Sequence, residues 1–191
     1  EAAARIATGG GSGDVMNQIS AIARNATLQA MIETVSAAER GPEAGRECRI
    51  AAALAPFLDR PELLAGIDCP GCPERYVRHL LHEDRERGWA MVAIVWQPGQ
   101  ASPVHGHRTW CALGVHRGWL EERFYALGTG GRPVRTRTVS RPTGATSSGP
   151  ADITAIHQLH NASGATAVSI HVYGVRYDSF GEGVNWVYEA A

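Results

Sequence analysis

From Val15 to about His82 the apolar residues recur at helical spacing. Ile19, Ile22, Ala23, Leu28, Met31, Ile32 and Val35 lie three and four apart, the stripe of an amphipathic helix. Gly41-Pro42 ends it. A second helical stretch runs from Ile50 to about Leu58, and Pro56 within it is expected to kink or shorten it. Pro61 is suited to open a third short turn. Tyr76 to Glu86 reads as helical at first and strand-bound later, with no residue marking the switch.

From Trp89 onward the texture changes. Ala90 to Trp96 is a short, β-branched apolar run that stops at Gln97-Pro98-Gly99, a turn signal. Similar runs follow at Cys111 to Val115, Leu120 to Tyr125, Val134 to Val139, Ile153 to Ile156, Ala167 to Tyr173 and Val184 to Tyr188. Many short strands divided by Gly/Pro turns predict a sandwich or barrel. Gly128 to Gly131 and Thr143 to Pro150 read as the loosest loops. No segment repeats at a fixed period. The expected fold is mainly β. Residues 1–14, rich in Ala, Gly and Ser, are expected to be a flexible tail or a remnant foreign to the fold. Residues 15–191 are expected to form one domain, helical over 15–88 and a β-barrel over 89–191.

Composition narrows the function. The 191 residues suffice for one core, and a net charge of −1 gives no basic footprint for nucleic acid or an anionic membrane. No apolar run approaches the roughly 18–20 residues of a membrane span, and no secretory leader pattern opens the sequence. Small molecules are the expected partners; oligomeric state is not legible. Four cysteines, Cys48, Cys69, Cys72 and Cys111, are too few and too unevenly spread for a disulfide scaffold, so a reducing cytoplasm is expected. Asn25-Ala26-Thr27 and Asn161-Ala162-Ser163 match glycosylation sequons, which are common by chance.

Three clusters carry chemistry. His105-Gly106-His107 sets two imidazoles on one face of a strand, half of a metal site or a pair of surface histidines. In Ser169-Ile170-His171-Val172-Tyr173 the polar residues alternate with apolar ones, so a Ser-His-Tyr row lines one strand face, inside a barrel or exposed on it. No Gly-x-Ser-x-Gly elbow surrounds Ser169, which argues against a hydrolase. Cys69-Pro70-Gly71-Cys72 lacks a second pair for zinc and reads as structural, or next as a reversible disulfide. His79, His82 and His116 read as surface or supporting residues.

The surroundings of His105 and His107 resemble a known pattern. Gly99, His105, His107 and Gly118 have the spacing of the first cupin motif, with Cys111 where its glutamate stands; His157 and Asn161 resemble the end of the second, without its Pro-x-Gly. Together with Ser169-x-His171-x-Tyr173 and Tyr76-x-Arg78, these resemble the cysteine dioxygenase family of cupin thiol dioxygenases, over roughly residues 76–173. The resemblance implies a double-stranded β-helix barrel behind the N-terminal helical segment. It implies an iron(II) ion on His105, His107 and His157, with His160 the competing third ligand. Ser169, His171 and Tyr173 would form the family's triad, and Tyr76 and Arg78 its substrate contacts. A small thiol and dioxygen would be the reactants and a sulfinate the product. Three neutral imidazoles leave the full charge of a dication to an anionic thiolate. Arg78 favours cysteine; 3-mercaptopropionate is the alternative. Arg176 could hold the second carboxylate of mercaptosuccinate, or be a solvated surface residue. Cys111 lies at or next to the family's thioether position, so a Cys111–Tyr173 link is one outcome and simple packing the other. A metal-binding cupin sensing module is the rival from another class; it would keep the histidines without needing Tyr173 or Arg78.

Overall fold

The computed structural model describes residues 12–189. Two helices, α1 (Ser12–Arg24) and α2 (Ala26–Glu39), stand where one stripe was expected. Asn25 divides them. Its backbone is extended and its Oδ1 accepts the Leu28 N–H, so it caps α2. Helix α1 takes in Ser12 to Asp14, which were expected to belong to a flexible tail over residues 1–14; residues 1–11 lie outside the described residues. Helix α3 (Arg46–Leu54) gives way to a tight three-residue turn at Pro56, and Pro61 opens another. Among the described residues no helix is long and apolar enough to cross a membrane.

Ten strands follow: β1 (Val77–Asp84), β2 (Trp89–Trp96), β3 (His105–His107), β4 (Cys111–Arg117), β5 (Trp119–Leu127), β6 (Pro133–Pro142), β7 (Thr146–Gly149), β8 (Ile156–His160), β9 (Ala167–Tyr173) and β10 (Asn185–Val187). They make two five-stranded antiparallel sheets, ordered β1-β2-β9-β4-β7 and β10-β3-β8-β5-β6. This is the mainly β, double-stranded β-helix architecture of cupins, with helices preceding it.

Strands β2 and β9, and β4 over its first five residues, are buried on both faces. Strand β2 therefore reads as one continuous apolar run, while β9 turns Ser169, His171 and Tyr173 to the barrel interior. Trp89, Met91, Ala93 and Val95 share a core with Leu28, Met31 and Val35 of α2 and Ile50 and Leu54 of α3. Ala90, Val92, Ile94 and Trp96, on the other face, join Cys111, Leu113 and Tyr173 in a second core inside the barrel. Helices and sheet thus close one wall and leave the second core for the site. Gly114 is required for that closure: a Cβ there would lie 2.3 Å from Leu58 Cδ1.

Three expectations are corrected. The helical part does not reach residue 88, because β1 begins at Val77 and pairs with β2. Its partly exposed faces blur any period-two pattern. Thr146–Gly149, expected as loop, is an edge strand whose small residues carry little strand preference but pair with β4. The strand expected at Ile153 to Ile156 instead runs from Ile156 to His160. There inward-facing His157 interrupts the apolar alternation.

Candidate metal centre

Pairing of β3 with β8 sets His105 opposite His157, and His107 lies two residues from His105 on the same face. Gly106 between them has no room for a side chain: a Cβ would sit 2.0 Å from the Ile153 carbonyl oxygen. All three imidazoles are buried, and their ligand nitrogens lie within 4.8 Å of one another. His107 Nε2 and His157 Nε2 are 2.9 Å apart. Two nitrogens each about 2.1 Å from one ion and at a right angle stand about 3 Å apart, so this pair has the spacing of adjacent ligands.

Outer nitrogens fix two of the rings, while His107 Nδ1 is buried without a partner. His105 Nδ1–H donates to the Pro103 carbonyl at 2.8 Å, and His157 Nδ1–H donates to Glu122 Oε1 at 2.9 Å. Both Nε2 lone pairs therefore face inward. Burial, reinforced by the neighbouring histidines, pushes His105 down to about 3 and His107 to about 2. They stay neutral, the form that binds metal. Burial alone would raise Glu122, but the His157 hydrogen bond, Arg141 and Ser147 bring it down to about 2. Arg141 Nε donates to Glu122 Oε2 at 2.8 Å, its Nη2 forms an ion pair with the same oxygen at 2.7 Å, and Ser147 donates to Oε1 at 3.0 Å. A buried carboxylate is thus held charged behind the third histidine.

A second chain runs along β9. Trp96 Nε1–H, which can only donate, reaches Ser169 Oγ at 2.9 Å. Ser169 Oγ is 2.8 Å from His171 Nε2, and His171 Nδ1 is 3.0 Å from Tyr173 Oη. Burial keeps His171 neutral, with one N–H. Every group is satisfied if Ser169 donates to Nε2 and Nδ1–H donates to Tyr173. The Tyr173 O–H then remains free as a donor. Burial also pushes the phenol well above its ordinary value, although Arg78 opposes this.

Tyr76 and Arg78 complete the wall. The Tyr76 ring stacks on Trp96 at 4.6 Å, and Arg78 Nη2 donates to Tyr76 Oη at 3.4 Å. The Arg78 guanidinium lies 5.4 Å from the centre of the Tyr76 ring and 6.0 Å from that of Phe180. Its Nε is buried without a partner. The three histidines, Arg78, Tyr76, Cys111, Tyr173 and Asn185 line one cavity of about 20 Å³.

Other candidates fall elsewhere. His160 points away, bonded to Arg123 at 2.6 Å, because it lies an odd number of residues from His157 on one strand. Arg176 does not line the cavity. After Tyr173 the chain turns away, with Gly174 N–H bonded to the Trp110 carbonyl and Tyr177 N–H to Glu83, which leaves Arg176 exposed. The substrate contact expected of it is therefore corrected. His79 bonds the Pro70 carbonyl, His116 the Leu58 carbonyl, and His82 packs on Trp89. Cys69 and Cys72 are free thiols. Asn161, read in a sequon, is buried and ties its own turn to Trp96 and Ala165.

Sequence reasoning missed Glu122, Trp96 and Asn185. Glu122 carried a signal: it stands in phase with Leu120 and Phe124, a charge on the apolar face of β5. Trp96 looked like core, and Asn185 sits in a strand too short to show a pattern.

The family model for cysteine dioxygenase type I matches residues 71–181, more than half of the chain. Three solved structures are similar to part of the chain. A Thermus thermophilus protein has 20% identity over 55% of this chain and 88% of its own, at a TM-score of 0.44. An uncharacterized conserved protein with a double-stranded β-helix domain from Klebsiella pneumoniae has 16% identity over 63% and 90%, at 0.44. An RmlC-like cupin protein from Desulfovibrio desulfuricans has 22% identity over 56% and 91%, at 0.38.

Proposed function

The chain belongs to the cysteine dioxygenase type I family, and from that membership we propose that it is an iron(II)-dependent thiol dioxygenase acting on cysteine. The observation that supports this best is the convergence of three histidines, the Tyr173 hydroxyl and Arg78 on one cavity. The reaction is RSH + O2 giving RSO2H, with both oxygen atoms on sulfur.

His105, His107 and His157 would hold the ion, which supplies sulfur binding and dioxygen activation when bound. Arg78 receives the substrate carboxylate. Its Nε is buried without a hydrogen-bond partner, and its Nη2 meets only the Tyr76 hydroxyl, so an incoming carboxylate finds the cation unspent. The Ser169–His171 pair holds the Tyr173 oxygen as an acceptor, so its proton is directed toward the bound ligand. Glu122 holds the His157 ring in the orientation that presents Nε2. A Cys111–Tyr173 thioether is part of the proposal. With Arg176 outside the cavity, the reading on mercaptosuccinate loses the group it needed. A sensing module has no use for a cation kept free on the cavity wall or for the chain from Trp96 to Tyr173.

The test is oxygen uptake by iron-loaded protein with a panel of thiols. Cysteine is expected to give the fastest uptake and stoichiometric sulfinate; no uptake with any thiol would sink the reading.

A further inference from the structure

Most polar groups around the cavity are already engaged. Tyr76 accepts from Arg78, Ser102 donates to Pro103 and accepts from Leu159, and Ser169 and His171 serve Tyr173. Asn185 is different. Strand β10 pairs with β3 so that Asn185 stands opposite His107, and antiparallel partners project to the same face. Its side chain therefore enters the cavity beside a metal-site histidine. Among the described residues, its Oδ1 is the one buried side-chain oxygen without a hydrogen-bond partner. His107 Nδ1, on the register partner, is also buried without a partner, but the two groups make no hydrogen bond with each other, because the ring turns its Nε2 toward His157 and the cavity. A buried acceptor left without a donor loses its hydration and gains nothing in return, so a donor for Oδ1 has to come from the cavity side.

The unspent groups define that partner. Arg78 asks for an anion, the histidines for a metal-bound sulfur, and Asn185 Oδ1 for an N–H or O–H donor. A second carboxylate would meet a lone pair there. An amine, whether protonated or bound to a metal, keeps at least two N–H groups. We propose that Asn185 is a specificity-determining residue whose amide oxygen accepts a hydrogen bond from the substrate's amino group. This rests on the thiol dioxygenase reading and deepens it: the substrate class is an α-amino thiol acid. Asn185 lies beyond the residues matched by the family model, so the feature belongs to this chain's own C-terminal strand.

The test is binding without turnover. Cobalt(II)-loaded protein is titrated anaerobically with cysteine and with 3-mercaptopropionate, which lacks only the amine, following the thiolate-to-metal absorption. Asn185→Leu is expected to weaken cysteine roughly fivefold or more and to leave 3-mercaptopropionate within about twofold. Asn185→Asp keeps an acceptor and is expected to retain cysteine binding. If the leucine variant does not fold, Asn185→Ala is read on the same ratio. Equal weakening of both thiols, an unchanged ratio, or loss of cysteine binding in the aspartate variant would overturn the proposal. Oxygen uptake is measured in parallel. Altered binding with no uptake by wild type would overturn the dioxygenase reading alone; turnover with an unchanged ratio would overturn the Asn185 role alone.

Discussion

Cys111 and Tyr173 are register partners on neighbouring antiparallel strands, β4 and β9, and both face the barrel interior. Side chains so paired have Cβ atoms about 4.5–5.5 Å apart, within reach of one covalent bridge. Burial pushes the Cys111 thiol up to about 12, so it is a protonated, unreactive thiol until an oxidant acts beside it. Turnover with iron and oxygen is expected to join Cys111 Sγ to a Tyr173 ring carbon, with loss of two hydrogens to dioxygen. Peptide mass analysis checks this. A Cys111 that remains fully alkylatable after unfolding turned-over enzyme would make it a packing residue.

Arg78 and Arg176 separate cleanly in the structure, one lining the cavity and one exposed outside it. Arg78→Ala is expected to lower kcat/KM for cysteine by roughly 2–4 kcal/mol, the worth of a charge-assisted bidentate contact. Arg176→Ala is expected to leave it unchanged. Comparable losses in the two variants would refute the assignment of the carboxylate to Arg78.

The two corrections at Thr146–Gly149 and Ile156–His160 share a cause with the successes at β2 and β9. Met91 declares β2 because both faces of that strand are apolar and buried, and Ile170 declares β9 because one buried face stays apolar from Val168 to Val172. His157 and Ser147 lie on elements that present polar groups to the interior, so the same rule fails where the chemistry is. The histidines and the Ser169-His171-Tyr173 row were legible because their spacing alone fixes a face. Their supports were not: Glu122 reaches His157 across strands 35 residues apart in the chain, and Trp96 reaches Ser169 across 73. Such pairings depend on register, which no local pattern encodes.

Tyr173 predicts an alkaline limit. Its folded-state ionisation is shifted upward by burial, so its contribution to stability is complete below the ordinary phenol value of about 10 and is lost as pH rises beyond it. Wild type is expected to lose more stability between pH 8 and pH 11 than Tyr173→Phe does. Denaturant midpoints at the two pH values check this, and equal losses would show that the phenol ionises as freely in the folded protein as in the unfolded chain.

Glu122 supplies the last prediction, because two roles meet on one carboxylate. It accepts from His157 and balances the buried side of Arg141. Glu122→Gln keeps the shape but removes the charge that makes His157 a stronger ligand, so metal affinity is expected to fall roughly 10–100-fold. Glu122→Ala also strands Arg141, whose side chain is largely buried, and a further stability loss of up to about 3 kcal/mol is expected in the metal-free protein. Replacing both residues, Glu122→Leu with Arg141→Met, is expected to recover much of that stability while metal affinity stays low. Metal competition with a chromophoric chelator measures one role and denaturant unfolding the other. If Glu122→Gln binds metal as tightly as wild type, the carboxylate serves Arg141 alone and the histidine needs no support from it.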